Sequence, residues 1–470
     1  MSTPATGGSA TGGSATGGSA TGGSAMRGSA FRVPAFRRLW IAGVVSDSGD
    51  WLLFIALPLV VLQLSGSALT TSVAFLLELV PPIVLAPFVA RLVARVDRKR
   101  LMVVVNIVQA CCLAPLLLVD GRADLPIVYG VIVAQAVCSA VFEPAKNSLL
   151  PDLVDGDRIV SANALVGLGQ DVGRLVGGPL GGVLLAVGHL PLVAAADLVT
   201  YVGSAILLGT LPSVAGAGRA SRPTAVPDGT TRPDGTTRPD ETTRPDGTTR
   251  PDATAHRAPA PRVHGVLAAL RSPVTRGTLA VLFVAAIAQG LFVVLFVFFV
   301  TDGIGGNDAD VGLLRGVQAV GAIAAGAVLA VAASRFPVAR VAVVGLASFA
   351  VITIVMWNLS WVTHALWPYV LLFALVGAPG VLSGAGTTSM LQLLTPVHGR
   401  AATFSALGLV AAAGQAIGML GAGLLQGPVG TMPLLEVQAG TYVVAAVLAA
   451  VLLPRAVRSA SRGTGTARTA

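Results

Sequence analysis

The residues with chemistry to offer are charges placed where charge is expensive. Asp47 and Asp50 lie three apart in one apolar stretch, Glu78 sits centrally in the next, Asp171 and Arg174 share a face of a later one, and Asp197 follows in another. A charged side chain at the centre of a bilayer-spanning helix costs about 2.5–3.5 kcal/mol on insertion scales, so it faces a bundle interior or a wet cavity. A carboxylate held out of water takes up a proton more readily than one in water, and a nearby cation opposes this. One reading is that Asp50 or Glu78 takes up a proton from outside while Arg174 senses the change. The other is a static ion pair that holds the first, second and fifth apolar stretches together. In the later half of the chain only Arg315 is comparable, with Gln289, Gln318 and Gln415 as milder polar points.

Other chemistries lack their residues. His189, His364 and His398 have no Cys or carboxylate neighbours at metal-ligand spacing, so no metal site is expected. Neither lysine, Lys99 nor Lys146, follows a glycine, so the phosphate-binding loop of an ATP-driven pump is missing. The intramembrane acids are spread over several stretches without a matched His or nucleophile, which argues against an enzyme. No cofactor is expected. The formal charge of +9 is dispersed in short segments between apolar stretches, so it reports topology and not a nucleic-acid surface.

The elements that must position these charges are membrane spans. With 54% hydrophobic and 11% charged residues, a chain of 470 residues cannot cover a soluble globule with polar surface. A span needs about 20 mainly apolar residues. Such stretches occur at 39–63, 68–90, 101–119, 126–146, 160–187 and 190–211, then at 276–300, 311–333, 338–358, 365–390, 401–426 and 434–453. The expected fold is therefore an all-α membrane protein of twelve transmembrane helices in two six-helix bundles, over 37–212 and 265–455. Residues 1–36, which carry Ala-Thr-Gly-Gly-Ser repeats, and 456–470 are expected to be disordered tails. Residues 213–264, with Arg-Pro-Asp recurring at Arg232, Arg238, Arg244 and Arg250, have too few apolar side chains to offset the entropy of folding and are expected to be a disordered linker.

Of the 31 Lys and Arg residues, 28 fall in one alternate set of loops and tails and Arg122 alone in the other, with Arg174 and Arg315 inside apolar stretches. Positive residues stay on the cytoplasmic side, so both termini and the linker are expected there, in a cell membrane. Trp357, Trp361 and Trp367 flank one opposite-side loop, where aromatic rings favour the interface. Cys111, Cys112 and Cys138 all lie in apolar stretches and are expected to pack.

The two halves resemble each other weakly. Arg158 opens a stretch running through Ala164-Leu165 to Gly181, and Arg400 opens one running through Ala406-Leu407 to Gly423, at a common offset of 242 residues. Related halves are the signature of transporters with a site at the interface between them. Three further stretches, Phe142-Glu-Pro-Ala-Lys-Asn-Ser-Leu-Leu-Pro-Asp-Leu-Val154, Ser161-Ala-Asn-Ala-Leu165 and Ala196-Asp-Leu-Val-Thr-Tyr201, make the chain resemble the major facilitator superfamily, in its drug-exporting branch of macrolide- and siderophore-type exporters. The resemblance covers roughly 36–455.

The resemblance implies roles for two motifs. The basic loop from Arg91 to Arg100 is similar to the superfamily's cytoplasmic loop signature at Arg95, Arg98 and Lys99, but Ala90 and Ala94 replace its glycine and aspartate. In the family that aspartate latches the halves, so the latch here is weaker or borrows Asp97; alternatively the cations only fix topology. Gly173, Gly178, Pro179 and Gly182 resemble the antiporter motif of exporters, although tight helix packing explains the same glycines. Glu143 and Lys146, one turn apart, read as a local helix pair or as part of a cytoplasmic gate. The resemblance implies a monomeric, proton-coupled transporter that exports a small amphiphilic compound by alternating access. An importer of the same fold, or a non-transporting receptor or scaffold, are the alternatives.

Overall fold

The computed structural model describes residues 30–155, 158–212, 270–332, 336–395 and 399–466. The expected linker 213–264 and most of the N-terminal tail lie outside these residues, as does His398. Among the described residues eleven helical segments are long and apolar enough to cross a bilayer. One of them, Ser161–Gly209, has 49 residues. As a single helix it would measure roughly 70 Å, more than twice the thickness of a hydrocarbon core. It is two helices: His189, at φ 56 and ψ −170, breaks the helical path between them.

The spans are therefore α1 (Pro34–Ser65), α2 (Ala68–Arg95), α3 (Arg98–Leu113, extended by a 3-10 turn to Leu118), α4 (Leu125–Leu153), α5 (159–188) and α6 (190–209). The second set is α7 (Pro273–Phe298, continued by a π turn to Gly303), α8 (Asp308–Ala332), α9 (Val338–Asn358), α10 (Leu366–Leu394), α11 (Arg400–Val429) and α12 (Thr431–Thr466). The first six pack on one another as one bundle and the last six as a second.

Local signals explain the boundaries. Pro34 opens α1 where its missing N–H is not needed, and Gly66, at φ 65, closes it with its N–H on the Leu62 carbonyl. Asp97 caps α3 by accepting from the Arg100 N–H at 2.9 Å. Prolines inside spans, such as Pro58, Pro81, Pro82 and Pro179, are tolerated because neighbouring helices satisfy the freed backbone groups. Large apolar side chains such as Val331 and Val187 stay exposed around the outside, as a lipid-facing surface requires.

Several expectations are corrected. The N-terminal segment is ordered before residue 37: Ala30 and Phe36 are fully buried, and the Phe31 ring packs edge-on against Trp40 at 5.0 Å. At the other terminus α12 continues to Thr466, where a disordered tail was expected from 456, because extending an existing helix needs no new nucleus. Trp361 and Trp367 are 79% and 77% exposed, but Trp357 is fully buried. Its indole N–H donates to Gln438 at 2.9 Å, inside a cluster with Phe292, Phe299 and Phe373. Cys111 is exposed, while Cys112 and Cys138 are half-buried, and all three are free thiols.

The bundles meet along two seams, α5 against α8 and α2 against α11. A shift of six helices exchanges one seam for the other, matching the offset repeat in the sequence. Both seams lie in the half of the molecule remote from the N-terminus, called here the far end. There Gly178 and Gly182 of α5 face Gly312 and Gly316 of α8, and Gly423 of α11 lies against Leu69 and Ser72 of α2. At the rim, the Gln63 amide donates to Asp308 across the bundles at 2.9 Å. Toward the near end, Val84 and Phe88 of α2 are exposed. The molecule is thus closed at its far end.

Candidate functional site

A cavity of about 210 Å³ lies inside the first bundle, walled by α1, α2, α4 and α6. Its polar wall is Asp50, Glu78, Gln135, Ser139 and Tyr201, and its apolar wall includes Leu53, Phe54, Leu57 and Ile132. Helical spacing produces this: Asp50, Leu53, Phe54 and Leu57 recur at three and four residues and so form one face of α1.

The polar wall is internally wired. The Tyr201 hydroxyl donates to Asp50 at 2.5 Å, and its oxygen accepts from the Gln109 amide at 3.2 Å. Gln135 donates to the Gln109 carbonyl at 3.1 Å, which leaves its own side-chain oxygen unpaired. That chain of donors fixes both amide orientations. The wall therefore offers the cavity two carboxyl acceptors, while the Gln135 oxygen is buried behind it.

Asp47, one turn from Asp50, leaves the cavity wall. It pairs with Lys146 of α4 at 3.6 Å, and the same ammonium contacts Glu143 at 2.5 Å. Lys146 is 3% exposed. Of the expected gate pair, Lys146 is therefore anchored in the bundle interior, where it bridges Asp47 and Glu143, while the Glu143 side chain is 38% exposed. Asp171 and Arg174 pair with each other on α5 at 3.0 Å, with the guanidinium over the Trp51 ring. Arg174, expected to sense Asp50 or Glu78, makes no ion pair with either among the described residues. Helical phase puts it on the α1 face at Trp51, toward the seam.

The basic loop also differs from expectation. Asp97 caps α3 and bonds to its own helix. Arg98 pairs with Asp152 of α4, and Lys99 donates to the Leu211 carbonyl. These contacts lie within the first bundle, and Arg95 is exposed. Among the described residues none of the four bridges to the second bundle.

The glycine motif divides by face. A Cβ on Gly173 would meet Asp47, and one on Gly177 the Ser48 carbonyl at 2.1 Å, so these two seat α5 on α1. Gly178, Pro179 and Gly182 form the seam with α8, where Pro179 packs against Gly316. Small residues permit both close approaches on one helix.

Residues not singled out as site candidates are Gln109, Gln135 and Tyr201. An amide in an apolar stretch was the available signal, but which amides converge depends on helix packing. Asp197 is fully buried and lies against Gly49 of α1, with Thr200 as its hydrogen-bond donor. Among the described residues no group of three His, Cys, Asp or Glu side chains is placed to hold a metal ion.

Comparison with known proteins agrees with this architecture. An uncharacterized MFS-type transporter from Bacillus subtilis is 31% identical over 180 residues, covering 38% of this chain and 42% of that protein. Macrolide efflux protein A of Streptococcus pyogenes is 27% identical over 170 residues, covering 36% and 42%. The chain thus spans less than half the length of either relative. A bacterial homologue of the iron transporter ferroportin, in an inward-facing state, superposes with a TM-score of 0.68 at 15% identity, covering 90% of this chain and 99% of that one. The family profile matches residues 39–306, more than half of the sequence. With two six-helix bundles closed at one end, the chain belongs to the Major Facilitator Superfamily of membrane transporters.

Proposed function

We propose that this protein is a secondary active transporter that exchanges protons for a small amphiphilic compound and moves that compound out of the cell by alternating access. The observation that carries the reading is the cavity that Asp50 and Glu78 line together with Leu53, Phe54, Leu57 and Ile132. Carboxyls beside an apolar wall suit a compound with a weakly basic group on a greasy body. A volume of about 210 Å³ takes the polar end of such a compound, since whole drug-sized ligands occupy clefts of roughly 300–1,000 Å³.

Alternating access fits two rigid bundles that touch at one end only. The cation bias of the loops supports a reading in which both termini and the 213–264 linker are cytoplasmic and the near end opens inward, in a cell membrane. The chain works as a monomer, since one chain carries both bundles. Efflux is supported by the name of the streptococcal relative. Asp50 and Glu78 are the proton acceptors, and protons and cargo compete for them.

The test is transport in proteoliposomes carrying an imposed pH gradient, with a panel of lipophilic amines. Asp50→Asn and Glu78→Gln are each expected to abolish gradient-driven movement. If both variants transport like the parent, the coupling role is lost. Movement of cargo in the direction of the protons would make the protein a symporter, and no flux of any compound would favour a receptor.

A further inference from the structure

Two arginines from different bundles flank Trp51. Arg174 of α5 lies 5.5 Å from its ring centroid and Arg315 of α8 lies 6.0 Å from it. Arg174 has a carboxylate partner, Asp171. Arg315 has none: among the described residues no Asp or Glu lies within ion-pairing distance of it. It is 7% exposed, and its guanidinium is caged by Phe54 of α1 at 5.5 Å and Phe292 of α7 at 5.0 Å.

Ring faces stabilise a buried cation only in part, so its full charge remains available to any acid nearby. The acid that shares a ring contact with it is Glu78 of α2, on the opposite bundle, in the cavity that Phe54 lines. Phe54 stands between them, touching Arg315 and lining the cavity that holds Glu78. The other polar neighbours are Arg174, which repels Arg315, and the Tyr442 hydroxyl of α12. Glu78 also faces Asp50 of α1, and Tyr201 of α6 lines the same cavity.

We infer that Arg315 is a positioning residue that locks the far end shut while Glu78 is ionised, and that either cargo, a proton or a substrate's cationic group, releases the lock by neutralising Glu78. The inference rests on the exchange reading above. Opening the far end separates α8 from α1 and α2, so it withdraws Arg315 from Trp51, Phe54 and Glu78 together. In a low-dielectric interior the attraction between separated charges is strong, and it is lost in the open state. An equilibrium shifts only when a ligand discriminates between two states, and here neutralising Glu78 removes what favours one of them. The empty ionised carrier then stays closed, while a carrier loaded with either cation is free to switch. That is the condition for exchange without leak.

The experiment reads the distance across the far end between spin labels on Asp120→Cys and His364→Cys. Both positions are exposed turns of opposite bundles. The three native cysteines are replaced, and the protein is reconstituted in lipid without gradient or substrate. In the parent, lowering the pH is expected to move the population to longer distances. Glu78→Gln is expected to show the long distances at every pH. Arg315→Gln is expected to lose the pH-dependent shift, and Arg315→Lys to keep part of it. A parent without a shift overturns the lock. So does a parent-like shift in Arg315→Gln, or in Glu78→Gln should the arginine variant fail to fold. Proton-driven exchange combined with a parent-like shift in Arg315→Gln sinks the lock alone; a shifting parent that does not exchange protons for cargo sinks the transport reading alone.

Discussion

Tyr201 of α6 holds Asp50 of α1 by a 2.5 Å hydrogen bond, and the same hydroxyl oxygen receives the Gln109 amide of α3. Three helices are thus joined at one oxygen on the cavity wall. Tyr201→Phe removes the donor to Asp50 and leaves the Gln109 amide with only the longer 3.5 Å bond to Ser139, while its own oxygen is already unpaired. The expected cost is about 1–3 kcal/mol of stability, together with a several-fold loss of transport. Thermal unfolding in detergent and flux in proteoliposomes measure the two. A Tyr201→Phe protein equal to the parent in both would remove Tyr201 from the site.

Lys146 is the cation of the first bundle's interior, with side-chain exposures of 4% for Lys146 and 11% for Asp47. Removing one member of a buried pair leaves the other charge uncompensated and costs about 3–5 kcal/mol. Lys146→Met is therefore expected to destabilise strongly, and Lys146→Met with Asp47→Asn to recover most of the loss. Additive losses in the double variant, read by melting temperature, would show that the two residues do not interact.

The glycines of α5 predict two different failures. Gly177→Ala places a Cβ 2.1 Å from the Ser48 carbonyl of its own bundle, so overpacking of about 1–3 kcal/mol should lower the melting temperature. Gly182→Ala places one 2.3 Å from the Asp308 carbonyl of the other bundle. It should instead prise the far end apart, raising the reactivity of a thiol at Val311→Cys, a position 1% exposed in the closed molecule, toward a membrane-impermeant reagent. Equal reactivity with and without Gly182→Ala would show that the seam does not control closure.

His189 carries a left-handed backbone at φ 56 and ψ −170, a region essentially reserved for glycine and strained by about 1–3 kcal/mol for other residues. His189→Gly is expected to retain transport and match or exceed parental stability. His189→Val should lose about 1 kcal/mol or more, because a β-branched side chain aggravates the strain. Identical melting temperatures for the two variants would mean that the break between α5 and α6 is set elsewhere.

The spans were legible because hydropathy integrates over about 20 residues, and no packing detail reverses it. Even the break at His189 fell between two apolar stretches that the sequence separates at 187 and 190. The carboxyls of the cavity, Asp50 and Glu78, were legible for a related reason: charge inside a span is so costly that its presence is informative. The cations were not. Arg174 and Lys146 are both basic residues near the acids in sequence order, and only helix rotation decides that Lys146 meets Asp47 while Arg174 turns to Asp171 and Trp51.

Trp357 illustrates the same limit. Its position beside a loop matched an interfacial anchor, yet it is fully buried with its N–H on Gln438, a partner 81 residues away. The sequence by itself determined the solvent, the number of crossings, the division into two bundles and the residues too polar to be idle. These follow from local composition, whose free energies add along the chain. The tertiary structure alone decided which end is closed, which glycines face which bundle, and which acid stands near which cation. Those depend on the phase of each helix about its axis and on contacts between residues far apart in the chain, where a turn of a few tens of degrees exchanges one partner for another.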